Sequence, residues 1–548
     1  MSTADSSPWW RGAVIYQVYP RSFADGNGDG IGDIAGIRSR LDHLSALGVD
    51  AIWFSPWYPS PMADAGYDVS DYRDIDPVFG SLGEVEALIA EAHALGIRTI
   101  VDVVPNHCSD AHPWFQAALA GGPGAPERKL FWFRPGRGPN GDQRPTDWVG
   151  EFGGETWTRT TNPDGTPGDW YLHLFAPQQP DFNWDHPRVR AEFEDILRFW
   201  FDRGVDGIRI DSAGLLVKDG TLPEVEPDQP HPFHDLDGVH DIYRGWRRVA
   251  DEYPDRALIG EVWLPDRQRF ANYLRPDELH AAFNFDFLGC AWDASALRES
   301  IDGTLSAHAP VNAPATWVLS NHDVTRHVTR YGRADTRFSF AAKREGIPTD
   351  LELGTRRARA AALLSLSLPG AAYVYQGEEL GLYEVEDIPY TLRQDPMWER
   401  SGRIDPGRDG CRVPLPWGGD EPPFEFSPAG AAAPWLPQPA DWKDRTASAQ
   451  TGDSASMLEL YRAAIHARRA DPALGDGEMT WLPAPDGVLA FRRGDHFTCV
   501  VNLSDSAVPM PAEGELLLAS GPLDDGMLPS DTAVWLRTAG SVDGPGRT

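Results

Sequence analysis

The sequence predicts an α/β fold: a (β/α)8 barrel of the TIM type, with a small domain inserted after its third strand and an antiparallel β-sandwich domain at its C-terminal end. Three observations predict it. Short β-branched runs alternate with longer amphipathic stretches, the pattern of repeated βα units around a parallel sheet. Eight such runs occur, the number that closes a barrel. Two of them, "TIVDVV" and "AAYVY", are nearly continuous apolar runs, as strands buried on both faces should be.

The strands are read at Val14–Tyr19, Asp50–Phe54, Arg98–Val104, Gly207–Asp211, Ala257–Val262, Ala281–Phe285, Thr316–Ser320 and Ala371–Tyr375. Helical periodicity falls at Ile34–Leu47, Leu82–Leu95, Pro187–Arg203, Thr355–Leu368 and Ser454–Arg469. Between the third and fourth strands the chain is rich in Gly, Pro, Trp and Arg and far exceeds a normal βα loop, so residues 105–184 are expected to form the inserted domain. The barrel then takes residues 1–104 and 185–474. A second long connection, residues 377–451, is expected to fold over the same barrel face. From residue 475 to 548 the pattern of "GVLAFRRGDHFTCVVNLSD" gives short alternating strands with turns, the expected C-terminal β domain.

Charge narrows the partners. Lys and Arg total 49 against 82 Asp and Glu, a formal charge of −33, which disfavours nucleic acid and anionic membranes and leaves a neutral small molecule as the expected ligand. The first residues carry neither a basic n-region nor an apolar h-region, and no apolar run reaches about 18 residues, so a cytoplasmic protein is expected, as a monomer or small homo-oligomer. Cys108, Cys290, Cys411 and Cys499 are widely separated and form no C-x-x-C pair, which predicts reduced thiols and no zinc knuckle. No phosphate-cradling Gly-rich motif or serine nucleophile elbow occurs, so no organic cofactor is expected.

In a parallel barrel the reactive groups stand where strands end. "RTIVDVVPNH" carries Asp102, Asn106 and His107, "GVDGIRIDSA" carries Arg209 and Asp211, "ALIGEVW" carries Glu261, and "WVLSNHDVTR" carries His322 and Asp323. "AGYDVSDY", in the loop after the second strand, adds Tyr67 and Asp68. One such carboxylate is more often a helix cap, but several converging from different strands point to chemistry. The fourth and fifth strands are neighbours, so Asp211 and Glu261 should face one another, and two carboxylates about 5–5.5 Å apart suit glycoside hydrolysis with retention. Arg209 shares a strand face with Asp211 and keeps it ionised, which favours Asp211 as nucleophile. Glu261 follows the apolar "ALIG" and precedes Trp263, where desolvation raises a carboxyl pKa, which favours it as acid/base.

A separate loop, "DGNGDGIGD", alternates oxygen side chains with glycines. Its Asp25, Asn27, Asp29 and Asp33 side chains and the Ile31 carbonyl are candidate ligands of a structural Ca²⁺. The twelfth-position Glu of a sensory calcium loop is missing, because that position is Gly36.

"DVVPNH", "GIRID", "GEVW" and "SNHD", in that order, resemble the four best-known sequence regions of glycoside hydrolase family thirteen, the α-amylase family, and the likeness extends over nearly the whole chain. The resemblance implies Asp211 as nucleophile, Glu261 as acid/base and Asp323 as transition-state stabiliser. It also implies His107, Arg209 and His322 as ligands of the reacting sugar, with Tyr67 stacked beneath it. "QPDFNW", at Gln179–Trp184, is similar to a signature of the α-glucosidase and oligo-1,6-glucosidase branch, with Phe182 in place of the usual Leu. That branch implies a pocket closed at the non-reducing end by Asp68 and Arg408, walled by Phe152 and Phe175. The implied activity is that of a retaining exo-acting α-glucosidase on short oligosaccharides, with transglucosylation. Ser212, after the nucleophile, leans toward maltose-type α-1,4 bonds while leaving α-1,6 bonds open. Two alternatives stand beside it: a sucrose isomerase or trehalose synthase-like transglycosidase, and a non-catalytic binding protein on the same fold.

Overall fold

The computed structural model describes residues 7–225, 229, 231–340 and 343–538. Its central sheet is parallel and its strands are β1 (Val14–Val18), β2 (Ala51–Phe54), β3 (Arg98–Val103), β7 (Gly207–Ile210), β8 (Ala257–Gly260), β9 (Ala281–Ala282), β10 (Thr316–Val318) and β11 (Ala371–Tyr375). They pair in the order β10-β11-β1-β2-β3-β7-β8-β9. The one seam without a backbone ladder, between β9 and β10, is bridged by the Thr316 hydroxyl, which donates to the Ala282 carbonyl at 2.5 Å. Inside the barrel, Ile15, Trp53, Ile100, Ile259, Phe283, Val318 and Tyr373 form a dry core of their own. Outside, the packed helices bury a second and larger core against the strands.

The sequence expected one helix at Ile34–Leu47. The structure breaks it into Ile34–Ser39 and Leu41–Leu47 at Arg40, whose φ of −115° and ψ of 9° leave the helical region. The sixth strand is also shorter than its apolar run, because the Asn284 side chain accepts from the Phe287 amide and caps a helix at Phe285–Gly289. The Leu351–Ser367 helix begins earlier than its periodicity indicates, with Asp350 as its cap.

The insertion after β3 contains a three-stranded sheet, β4 (Phe133–Arg134), β5 (Trp157–Thr161) and β6 (Pro167–Leu172), in the order β4-β6-β5. Its core of Trp132, Trp148, Trp157, Leu172 and Leu174 closes on Leu215 and Phe233 of the barrel loop that follows the fourth barrel strand, so this domain sits beside the barrel mouth. At the C-terminal end, β12 (Met479–Trp481), β13 (Val488–Arg493), β14 (Phe497–Asn502), β16 (Glu515–Ala519) and β18 (Thr532–Arg537) make an antiparallel sheet in the order β12-β13-β14-β18-β16. One face meets the helix at Leu351–Ser367, where the Trp535 indole donates to the Leu363 carbonyl at 3.0 Å and Arg493 to the Ser367 carbonyl at 2.6 Å. The other face packs on a ribbon of β15 (Val508–Pro509) and β17 (Met527–Leu528).

Cys108, Cys411 and Cys499 are buried free thiols and Cys290 is a half-buried one. Among the described residues no helix is long and apolar enough to cross a membrane.

Candidate active site

The barrel ladder itself places the two acids. The Asp211 amide donates to the Val103 carbonyl and the Glu261 amide to the Ile210 carbonyl, each at 2.9 Å, so both residues continue the parallel pairing one step beyond their strands. They therefore stand side by side at the C-terminal mouth. Arg209 lies beneath them, 1% exposed, and its planar fork joins the acids: Nη1 donates to Asp211 at 2.7 Å and Nη2 to Glu261 Oε2 at 2.7 Å. Nη1 also reaches Asp102 Oδ1 at 2.9 Å. The Trp53 ring lies 5.1 Å from the guanidinium carbon and packs against it.

Burial gives these carboxyls different charges. Desolvation pushes Glu261 up to about 7; Arg209 opposes the rise, while Asp211 and Asp323 add to it. Asp102, also buried and sharing Arg209 with two other acids, is pushed to about 8. Asp323 behaves oppositely. Burial disfavours its charge, yet it is held well below the usual carboxylate range by its surroundings, which include His322, Arg408 and Arg412. His322 lies 3.4 Å from Asp323, but burial drives its own pKa well below the ordinary value, so the imidazole is neutral and the two arginines carry the stabilisation of Asp323. Arg412 Nη2 donates to Asp323 at 2.9 Å and Arg408 Nη1 at 3.1 Å.

Five of the expected sugar ligands, Tyr67, His107, Phe152, Phe175 and Arg408, line one space, whereas Arg209 and His322 are buried outside its lining. Tyr67, His107, Phe152, Phe175, Asp211, Glu261, Asp323 and Arg408 surround the deep end of the pocket. Tyr67 stacks on His322 with ring planes 10° apart and contacts its Nε2 through the phenol oxygen at 2.5 Å. His107, made neutral by burial with a pKa near 4, packs its ring 4.8 Å from Phe175. Phe152 meets Phe175 edge-on and receives the Arg408 guanidinium over its face at 4.8 Å. The space then widens into a cavity of about 330 Å³ bordered by Trp263, Phe340 and Met397.

One expected ligand is corrected. Asp68 does not pair with Arg408. Its carboxylate turns back into its own loop, accepting from the Ser60 hydroxyl at 2.9 Å and from the Ala63 and Asp64 amides at 2.9 and 3.0 Å. The acid at the closed end is Asp64, which accepts from Arg408 Nη2 at 2.6 Å and from the Gln179 side chain at 3.0 Å. Gln179 belongs to the "QPDFNW" motif, so the inserted domain buttresses the pocket floor. Sequence reasoning also missed Arg412 and Asp395. The latter accepts from Arg408 Nε at 2.5 Å and caps the helix at Pro396–Arg400. The only signals were position: Arg408 and Arg412 flank a single turn at Asp409–Cys411, in the long connection already expected to cover this face.

The candidate calcium loop stands apart from the pocket. Asp25 accepts from the Asn27, Gly28 and Gly30 amides, and Asp33 from those of Gly26, Asn27 and Gly36. Asn27 accepts from the Asp29 amide and Asp29 from the Ile31 amide. Among the described residues no three His, Cys, Asp or Glu side chains converge as a ready metal cluster. The chemistry of the donors nevertheless suits a hard cation: Asp25, Asp29 and Asp33 have no ion-pair partner among the described residues, and burial pushes the Asp33 carboxyl up, with the nearby Asp25 charge adding to the shift.

A family model described as "Alpha amylase, catalytic domain" matches residues 17–477. The chain belongs to the α-amylase family. A second family model, a domain of unknown function, matches residues 475–535, the C-terminal sheet. Among curated members, the chain is similar to "Probable alpha-glucosidase" of Rhizobium meliloti (strain 1021), 38% identical with 91% of this chain and 90% of that protein covered. It is also similar to "Oligo-1,6-glucosidase" of Parageobacillus thermoglucosidasius, 34% identical with 84% of each covered. Among solved members, a trehalulose synthase variant superposes with a TM-score of 0.85 at 29% identity, covering 97% of this chain and 100% of that one.

Proposed function

We propose that the protein is a retaining, exo-acting α-glucosidase that releases glucose from the non-reducing end of short α-glucosides and also transfers glucosyl groups to sugar acceptors. The observation that carries this reading is the pairing of Asp211 and Glu261 on one guanidinium, inside a pocket whose far end is closed by Asp64 and Arg408. Asp211 attacks the anomeric carbon while Glu261, kept protonated by burial, gives its proton to the departing oxygen. The glucosyl ester is then released when Glu261, now a base, takes a proton from water or from a sugar hydroxyl. Asp323, fixed as a carboxylate by Arg408 and Arg412, holds the sugar hydroxyls and faces the positive charge that develops on the ring. Tyr67 and His322 form the floor beneath it, and Ser212 leaves the bond next to the nucleophile free of a branched side chain, in keeping with α-1,4 linkages.

The similarity to an α-glucosidase and an oligo-1,6-glucosidase supports the hydrolase. The likeness to a trehalulose synthase favours a second reading, an isomerising transglycosidase. Incubation with maltose, isomaltose, sucrose, trehalose and soluble starch, with products resolved over time, separates the two. Free glucose from maltose supports the hydrolase, and near-quantitative conversion of sucrose to an isomeric disaccharide would replace it. A non-catalytic role would show as no turnover of any substrate, and the complete set of carboxylates argues against it. The same proposal includes Ca²⁺ as a structural ion held by Asp25, Asn27, Asp29, Asp33 and the Ile31 carbonyl, and a cytoplasmic location in keeping with four free cysteines.

A further inference from the structure

The acid/base carboxyl is gripped unevenly. Glu261 Oε2 accepts from Arg209 Nη2 at 2.7 Å and from the Ser212 amide at 3.0 Å, which occupies both of that oxygen's lone pairs. Oε1 accepts a single bond among the described residues, from the Trp263 indole N–H at 2.9 Å. The proton that moves in catalysis must therefore ride on Oε1, and one of its two lone pairs is already taken. The indole is itself fixed. Its ring lies on Phe285 at 3.6 Å between centroids, with planes 1° apart, and Phe340 meets it at 5.2 Å. Yet Trp263 is 37% exposed and borders the outer cavity, where the departing or accepting sugar has to lie.

We infer that Trp263 is a positioning residue for the acid/base, its N–H filling one lone pair of Glu261 Oε1 so that the proton can occupy only the other, aimed into the outer cavity. The inference rests on reading Glu261 as the acid/base. The charged groups facing Glu261 are Arg209 from its own barrel wall, Asp211 beside it, Asp323 across the pocket and Asp102 behind Arg209. Around the outer cavity stand Arg408, Asp235, His234 and Glu151. None of these bonds Oε1, so a change at Trp263 acts on that oxygen without breaking another contact to it.

Trp263→Phe keeps a ring on Phe285 and deletes the N–H. A donor to a carboxylate favours its ionised form, so its loss should move the alkaline limb of the kcat/KM profile up by about one pH unit. The rate should also depend on the leaving group. For maltose, whose departing oxygen needs the proton, kcat/KM should fall about tenfold, whereas an aryl α-glucoside with a good leaving group should lose less than about twofold. Trp263→His, which returns a ring N–H, should recover part of the maltose loss. Equal losses on both substrates with an unmoved limb would show that the indole only packs, and would overturn the inference. If Trp263→Phe fails to give folded protein by circular dichroism, Trp263→Leu, which also lacks the donor, takes its place under the same two readouts: an unmoved limb with a substrate-independent loss overturns the inference. Absence of any α-glucoside hydrolysis by the parent would instead overturn the reading of the site beneath it.

Discussion

In the proposed function Asp64, at the closed end of the pocket that Asp211 and Glu261 also line, is the residue on which recognition of the end of a sugar chain rests. Asp64→Asn keeps the shape of the side chain and an oxygen that can accept from Gln179, but removes the carboxyl that meets Arg408 at 2.6 Å, a group that burial pushes up to about 7 against the pull of Arg408. Arg408 keeps Asp395 and Asp323 as partners, so the change leaves no unpaired buried cation and the fold should survive. What is lost is one charge-assisted hydrogen bond to a terminal hydroxyl, worth about 1.5–3 kcal/mol, or roughly 10- to 150-fold in kcat/KM for maltose. Asp68→Asn is the control. It disturbs bonds to Ser60, Ala63 and Asp64 that shape the loop, and should lower thermal stability more than it lowers maltose turnover in the folded protein. Steady-state kinetics on maltose and longer maltodextrins, with thermal unfolding of each variant, would measure both. Retention of maltose kcat/KM within about twofold in Asp64→Asn, beside a collapse in folded Asp68→Asn, would refute the assignment of the pocket floor.

Asp211→Asn should lower turnover of an aryl α-glucoside by several orders of magnitude with an unchanged circular dichroism spectrum, and unaltered rates would remove it as nucleophile. Because Glu261 acts as an acid only while protonated, and burial pushes it to about 7, kcat/KM for maltose should fall as pH rises through about 7. Glu261→Gln should abolish that limb, measured with an activated aryl glucoside, and persistence of the same limb in the variant would assign it to another group. Chelation should lower the melting temperature by removing an ion bound to the native state, restored by Ca²⁺, and an unmoved melting curve with no metal by elemental analysis would eliminate the proposed loop site.

The carboxylates proposed for catalysis were legible in the sequence because a parallel barrel forces a simple rule. An apolar strand buried on both faces can end in an acid only at its mouth, and Asp211 and Glu261 each end such a run. Arg209 was legible through the two-residue repeat of the strand that carries it. The pocket floor was not. Asp64 and Asp68 flank one turn, and which of them faces Arg408 depends on Gly66, whose φ of 103° reverses the chain, and on amides that claim the Asp68 carboxylate. Arg412 and Asp395 sit in a connection without periodicity, so nothing local tied them to Asp323 or Arg408. The broken helix at Arg40 and the shortened sixth strand show the same limit, since a cap or a local φ outweighed an unbroken apolar pattern.

The proposed catalysis turns on a covalent bond between the sugar and Asp211, the acid that follows the fourth barrel strand. A fluorinated α-glucosyl fluoride, whose second displacement is slow, would trap that species for peptide mapping by mass spectrometry. One glucosyl group on the peptide carrying Asp211, lost on adding an acceptor sugar, is the predicted result. A label confined to Glu261 or Asp323, or hydrolysis of maltose that yields β-glucose first, would contradict it.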